Sequence, residues 1–594
     1  MIKLSDYIAK RLKEYHKIDH FFMVSGGGAM HLNDSLGRYI PYTANHHEQA
    51  CAIAAEGYAR VNQKLALVNV TTGPGGLNCL NGVFGQWTDS VPVLYISGQV
   101  KFTTTMASCP EVPLRQLGDQ EVDIISVVKP LVKYAKMVTD PKEIKYHLDK
   151  AVYEATTGRM GPVWLDIPMN VQGAMINEND LIDFIPPEPI SYNLEIDKVI
   201  DKLKSAQRPL IVAGYGIRAA GVEKIFQEMI NKTDIPVVTT FNGMDLIESG
   251  HKNFCGRIGT VGQRSGNFTL QNADVILFLG TRNNIRQASY NWENFAKNAY
   301  KIVVDIDKAE LDKPTVVPDL KINADLREFL PALNESFPHL EIKKWLEFSK
   351  NIYGKYSFDN TKEYQSQNGI INVYDFVHNL SKAMKPKTIM IAGNGSACVC
   401  AHQAAIVKEN QRIFWNSGDA SMGYDLPAAI GASYEADNRN VICLTGDGSV
   451  MMNIQELQTI VYNKLPIKIF IINNAGYSSI RQTQRNFFNG HMTGSGDESG
   501  VSVPDFCKIA DGFGLKSLRI SSPENMQAQI QEVLKMNEPV ICEVMVEKEY
   551  AFSPKLSARK LDDGTMISPS LEDMFPFLDR DEYKENILNE KESL

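Results

Sequence analysis

The sequence predicts an α/β protein made of three doubly wound parallel-sheet domains, and two observations carry that expectation. Apolar runs rich in Val and Ile recur from end to end, among them residues 65–70, 91–96, 209–213, 275–279, 441–445 and 467–472. Each run is strand-sized, and helical stretches separate one from the next, which is the pattern of buried parallel strands covered on both faces. The second observation is length: 594 residues exceed what a single hydrophobic core supports.

Two interruptions divide the rhythm. Residues 172–192 contain Ile185-Pro-Pro-Glu-Pro-Ile190, and residues 343–369 are polar and bear Tyr and Asn. The expected units are 1–175, 190–342 and 370–548, each of single-domain size. A charged stretch with Pro and Asp turns, 549–594, is expected to be a surface tail or lid. No short repeat or low-complexity tract is present.

Hydrophobic residues at 44% and charged residues at 22% place the chain among ordinary globular proteins. The net charge of −9 is spread without a Lys or Arg block, so neither nucleic acid nor membrane is expected as a partner. Residues 1–17 alternate apolar and charged side chains like an amphipathic helix and lack the apolar core of a signal peptide. No apolar stretch approaches a membrane span. Nine cysteines do not form a disulfide framework, and Cys398-Val-Cys400 lacks the second pair a zinc site needs. Reduced, mostly buried thiols and a cytoplasmic location are expected.

The chemistry concentrates in the third unit. Residues 441–445 read as a strand, and Gly446-Asp447-Gly448-Ser449 turns the chain at its carboxyl end. A helix follows, then a second strand ending in Asn473-Asn474, with Asn474 lying 27 residues beyond Asp447. Adjacent parallel strands deliver their carboxyl ends to one crevice, where ligands bind. Asp447 and Asn474 therefore supply two hard oxygen ligands to one small cation. A backbone carbonyl near Gly476 supplies a third, and phosphate oxygens complete the octahedron that Mg²⁺ prefers. The glycines allow close approach of a phosphate.

This spacing resembles the thiamine-diphosphate motif, and the chain as a whole resembles the acetolactate synthase family over roughly residues 1–560. Three further segments match in order: His47-Glu48-Gln49-Ala50 leading into Ala54-Ala-Glu-Gly-Tyr-Ala-Arg60, then Thr72-Gly-Pro-Gly-Gly-Leu-Asn78, and Ser421-Met422-Gly423-Tyr424 before Leu426-Pro-Ala-Ala-Ile-Gly431. The resemblance implies a pyrimidine-binding first domain, a central nucleotide-binding-like domain and a diphosphate-binding third domain, with thiamine diphosphate and Mg²⁺ as cofactors. It makes Glu48 the carboxylate that tautomerises the aminopyrimidine ring, and Met422 the apolar wedge that bends the cofactor. Pro74, Asn78, Gly395, Ser396 and Ala420 map to cofactor-contacting positions, alongside Gly446, Gly448 and Ser449, and Gln120 maps beside the reacting carbon. His46 and His47 are acid–base candidates that the chemistry does not require. In the family the site lies between chains, so a homodimer or homotetramer is expected.

In the middle unit Gly214-Tyr-Gly216 follows an apolar run, but Gly221 comes too late for a dinucleotide fingerprint. By resemblance the unit binds FAD, with Arg159, Arg282 and Asp305 at flavin-contacting positions. Asn242 and Asn283-Asn284-Ile285 depart from the family, so an ADP-filled or empty domain stays open. The implied activity is decarboxylation of pyruvate with transfer of the two-carbon acetyl unit to a second carbonyl compound. A plain 2-ketoacid decarboxylase or lyase shares every motif. A catalytically dead subunit does not, because Glu48, Asp447 and Asn474 are all intact. Two departures bear on the acceptor: Thr483 replaces a bulky family tryptophan, and Met169 a lysine after Asp-Ile-Pro. Both favour a larger or uncharged acceptor, an aldehyde or a nucleotide-linked keto-sugar.

Overall fold

The computed structural model describes every residue except 341, 561, 562, 564 and 589–594. In the first domain, β1 (Phe21–Met23), β2 (Tyr42–Ala44), β3 (Ala66–Val70), β4 (Val93–Gln99), β5 (Tyr134–Met137) and β6 (Val163–Pro168) form one parallel sheet in the order β2-β1-β3-β4-β6-β5. In the central domain, β7 (Pro209–Ala213), β8 (Val237–Thr239), β9 (Phe254–Arg257), β10 (Val275–Leu279), β11 (Tyr300–Asp305) and β12 (Leu320–Asn323) run β9-β8-β7-β10-β11-β12. In the third, β13 (Ile389–Ala392), β14 (Arg412–Phe414), β15 (Val441–Gly446), β16 (Ile467–Asn473), β17 (Lys516–Ile520) and β18 (Val540–Met545) run β14-β13-β15-β16-β18-β17. These are the three parallel α/β sheets the sequence predicts. Every residue of β3, β4, β10 and β16 is buried, which is why those strands read as mostly apolar runs.

The strand orders place the ligand crevices. Counting each domain's own strands, the first and third sheets share the order 2-1-3-4-6-5, so the winding reverses between their first and third strands. The central sheet has the order 3-2-1-4-5-6 of dinucleotide-binding folds and reverses between β7 and β10. Ligands bind outside the carboxyl ends of the strands at such reversals.

Contact between the outer domains is made at backbone distance. Helices Glu48–Asn62 and Asp425–Tyr434 cross so closely that a Cβ on Gly57 would lie 2.0 Å from the Ala428 carbonyl oxygen, and one on Gly431 1.8 Å from that of Ala54. Buried ion pairs surround the crossing. Arg60 donates to Glu56 and Asp89, and Arg412 pairs with Asp245 of the central domain.

Two segments differ from expectation. Residues 343–355, read as part of a linker, form helix Lys343–Lys355 against the central domain, with Trp345 donating from its indole nitrogen to the Pro209 carbonyl. Trp345, Ser349 and Ile352 supply a buried helical stripe, sparse enough to be masked by the surrounding Lys and Asn. The stretch beyond residue 549, read as a surface tail or lid, is a strap bonded back onto the central domain. Leu556 donates to the Thr260 carbonyl, and Asn267 and Asn272 donate to the carbonyls of Leu571 and Asn586. Buried Leu571 and Met574 are the apolar pegs that hold this charged segment down.

Candidate active site

The third-domain crevice is built from loops following β13, β15 and β16. Asp447 begins the short helix Asp447–Val450 and is buried at the end of β15. Its carboxylate accepts from the backbone N–H groups of Gly448 (2.7 Å), Asn474 (3.0 Å) and Gly476 (3.0 Å). Burial still pushes its pKa up to about 6, against those three hydrogen bonds and the nearby Arg481 guanidinium. The neighbouring Asn474 is also buried, and its Oδ1 has no hydrogen-bond partner. A carboxylate and an orphaned carbonyl oxygen side by side are a hard-oxygen donor set that suits Mg²⁺. Gly476 is held at the pair through its own N–H and has φ +117°.

The loops around this pair suit a diphosphate. Gly395 has φ +86° and precedes helix Ser396–Ala404, and a Cβ at Gly395 or Gly446 would meet nothing within 4 Å. Gly448 is glycine for a different reason: a Cβ there would lie 2.2 Å from the Tyr477 ring and 3.4 Å from Cε of Met422. Met422 therefore projects toward the Asp447 turn. Ser449 accepts from the Gly423 N–H (2.9 Å) and donates to Asp425 (2.7 Å), tying the Met422 loop to the Gly446–Ser449 turn. Ala420 adopts φ +57°, with its N–H donating to Asn416 Oδ1.

The expected first-domain residues form a second cluster. Glu48 opens helix Glu48–Asn62, with His47 as the N-cap: the His47 ring nitrogen accepts from the Gln49 N–H at 3.1 Å, a capping role for that histidine. Asn78 donates to Glu48 Oε2 at 2.9 Å. Gln120 (φ +61°) presents its carbonyl against the turn before Pro74, where a Cβ on Gly73 would sit 2.1 Å from that oxygen. Pro74, Asn78 and Gln120 are exposed, and Glu48 is half-buried. Among the described residues no hydrogen bond or ion pair joins Glu48, Asn78 or Gln120 to Asp447 or Asn474 within the chain.

The expected nucleotide residues converge on the reversal of the central sheet. Arg159, Gly216, Arg282 and Asp305 line one cleft. Asn242 lines it too, and its Oδ1 is buried without a partner. Gly214 contributes otherwise: a Cβ there would meet the Gly280 carbonyl oxygen at 2.3 Å, so it permits the loops after β7 and β10 to touch. Both guanidinium groups carry carboxylate partners, Arg159 with Asp307 and Glu310 and Arg282 with Glu310. Burial raises Asp305 to about 6.

A third acidic cluster, Asp505, Cys507 and Glu543, has metal-ligand spacing, but Arg519 already bridges the two carboxylates. Sequence reasoning missed Tyr550 and Ser478, which contact Asn474 directly. Neither lies in a periodic or Gly-rich pattern.

Comparison with known proteins fits this geometry. Family profiles described as the thiamine pyrophosphate enzyme N-terminal TPP-binding, central, and C-terminal TPP-binding domains match residues 2–127, 196–333 and 393–544. The class is thus a three-domain thiamine pyrophosphate enzyme. The chain is 30% identical to the acetolactate synthase large subunit of Lactococcus lactis, covering 93% of this chain and 94% of that one. It is 30% identical to that of Corynebacterium glutamicum (97% and 91%) and 27% to the isozyme 3 large subunit of Escherichia coli (92% and 95%). The chain belongs to the acetolactate synthase family.

Proposed function

We propose that the protein decarboxylates pyruvate and transfers the two-carbon acetyl unit to a second carbonyl compound, using thiamine diphosphate and Mg²⁺. The observation that carries this reading is the buried Asp447–Asn474 pair, with its unpartnered Asn474 oxygen, at the carboxyl ends of the adjacent strands β15 and β16. Asp447 and Asn474, with the Gly476 carbonyl, hold the cation. Gly395, Ser396, Ala420, Gly446, Gly448 and Ser449 receive the diphosphate through backbone groups, and Met422 supports the bend. When bound there, thiamine diphosphate would supply a carbanion nucleophile and an electron sink. Glu48 holds a proton at the aminopyrimidine nitrogen, Asn78 fixes the Glu48 carboxylate by its 2.9 Å bond, and Gln120 faces the reacting carbon.

The chain works as a homodimer or homotetramer whose sites lie between subunits. The exposure of Pro74, Asn78 and Gln120 supports this, as does that of Leu77, Phe84, Trp87 and Leu117 on the same segments. FAD in the central cleft is supported by the convergence of Arg159, Arg282 and Asp305 and by the orphaned Asn242 oxygen, to which a ring N–H can donate. Thr483 favours a second reading of the acceptor. It is exposed and turns its hydroxyl back to the Ser479 carbonyl (3.1 Å), filling no volume where the family has a large ring. An aldehyde or nucleotide-linked keto-sugar then replaces the ketoacid. Incubation with pyruvate and a panel of ketoacids, aldehydes and keto-sugars tests both readings: acetolactate as the preferred product supports the first, and a sugar adduct the second.

A further inference from the structure

Asn474 offers a cation one oxygen of an amide that could face either way round, and the structure contains a device that settles which. The Tyr550 hydroxyl donates its single proton to Ser396 Oγ and accepts from Asn474 Nδ2 at 3.2 Å and from Ser478 Oγ at 3.3 Å. Asn474 Nδ2 makes a second, longer contact with Ser478 Oγ at 3.4 Å. A phenol has one proton and two acceptor sites, so these three contacts use all of them. With the phenolic proton donated to Ser396, the oxygen lone pairs of Tyr550 take up the NH₂ end of the amide. Turning the amide over would set its carbonyl oxygen against the Tyr550 and Ser478 oxygens and lose both Nδ2 contacts. The carbonyl oxygen then lies on the opposite side of the amide, buried and unpartnered, on a residue whose backbone N–H donates to Asp447.

We propose that Tyr550 is a positioning residue for the cation site. Through its hydroxyl it fixes the Asn474 amide with Oδ1 presented to the metal, and it joins that ligand to Ser396 of the diphosphate loop. The inference rests on the reading of Asp447 and Asn474 as cation ligands. Tyr550 lies just past β18, at the point where the chain leaves the third sheet for the strap over the central domain. The strap is therefore anchored, at its origin, to the metal-binding amide.

The test is a Mg²⁺ titration of the full chain at fixed thiamine diphosphate, read by cofactor-dependent thermal shift rather than turnover. Tyr550→Phe removes only the oxygen. Of the three hydrogen bonds lost, the one from Asn474 Nδ2 bears on the metal, and its loss should raise the Mg²⁺ midpoint about three- to tenfold, read as the shift from the variant's own melting temperature without cofactor. Ser478→Ala, which removes the other anchor of Nδ2, should move the midpoint the same way and decides the matter if the tyrosine variant folds poorly. Asp447→Asn serves as the control. If it abolishes the Mg²⁺ response while both anchor variants titrate like wild type, the positioning role is overturned and the cation site stands. If Asp447→Asn leaves the response intact, the cation reading itself fails.

Discussion

Replacing Asp447 with Asn probes the cation site with almost no change of shape. Both carboxylate oxygens accept backbone N–H groups, Oδ1 from Gly448 and Oδ2 from Asn474 and Gly476. Whichever way the new amide turns, its NH₂ meets at least one N–H donor, an unmade bond of about 1–3 kcal/mol. Removal of a charge already disfavoured by burial offsets part of that cost. The chain without cofactor should therefore melt within a few degrees of wild type. Loss of the charged ligand should weaken Mg²⁺-dependent cofactor binding at least about a hundredfold. Ligand at one hundred times its Kd stabilises by about 2.7 kcal/mol; after a hundredfold loss of affinity the same concentration gives about 0.4 kcal/mol. In a thermal-shift assay, an increase of several degrees on adding thiamine diphosphate and Mg²⁺ should fall to about one degree. A full wild-type increase in the variant would refute the assignment of Asp447.

Glu48→Gln keeps the bond from Asn78 but removes the charge, so cofactor binding should persist while turnover falls by two or more orders of magnitude, about 3 kcal/mol or more of barrier; near-native turnover removes Glu48 from the mechanism. Mixing Glu48→Gln with Asp447→Asn chains should restore activity through hybrid dimers, and no recovery after verified subunit exchange argues for a site within one chain. Burial holds His20 down to about 4, where it bonds Thr43 and stacks on Tyr434 of the third domain. Because the folded pKa lies below the unfolded value, the stabilisation is complete above about pH 6.5 and is lost as pH falls toward 4, up to about 3 kcal/mol. His20→Gln should flatten that acid limb in urea melts at pH 7 and pH 5, and parallel profiles contradict the account. Gly431→Ala should destabilise the helix crossing by more than about 3 kcal/mol, since its Cβ would lie 1.8 Å from a carbonyl oxygen, and an unchanged melting temperature would show that the helices can part.

The fully buried strands were legible because burial on both faces favours apolar residues, as in 209–213 and 275–279, whose limits the structure reproduces. Asp447 and Asn474 were legible because a fixed spacing places them at the ends of adjacent strands. The order of the strands was not. That the central sheet runs 3-2-1-4-5-6 while its neighbours run 2-1-3-4-6-5 depends on which helix packs on which face, and no local pattern records it. Gly214 reads as a nucleotide glycine yet serves the contact with Gly280. Tyr550 and the pegs of the strap are single apolar or aromatic residues in charged surroundings, and their roles come from contacts with distant segments.

The central claim is most directly tested by the product formed from pyruvate alone. Purified chain supplied with thiamine diphosphate and Mg²⁺ should release carbon dioxide and accumulate acetolactate, or, given a preferred aldehyde or keto-sugar, the corresponding two-carbon adduct. Acetaldehyde as the sole product under every acceptor tested, or no consumption of pyruvate by the cofactor-loaded chain, would contradict it.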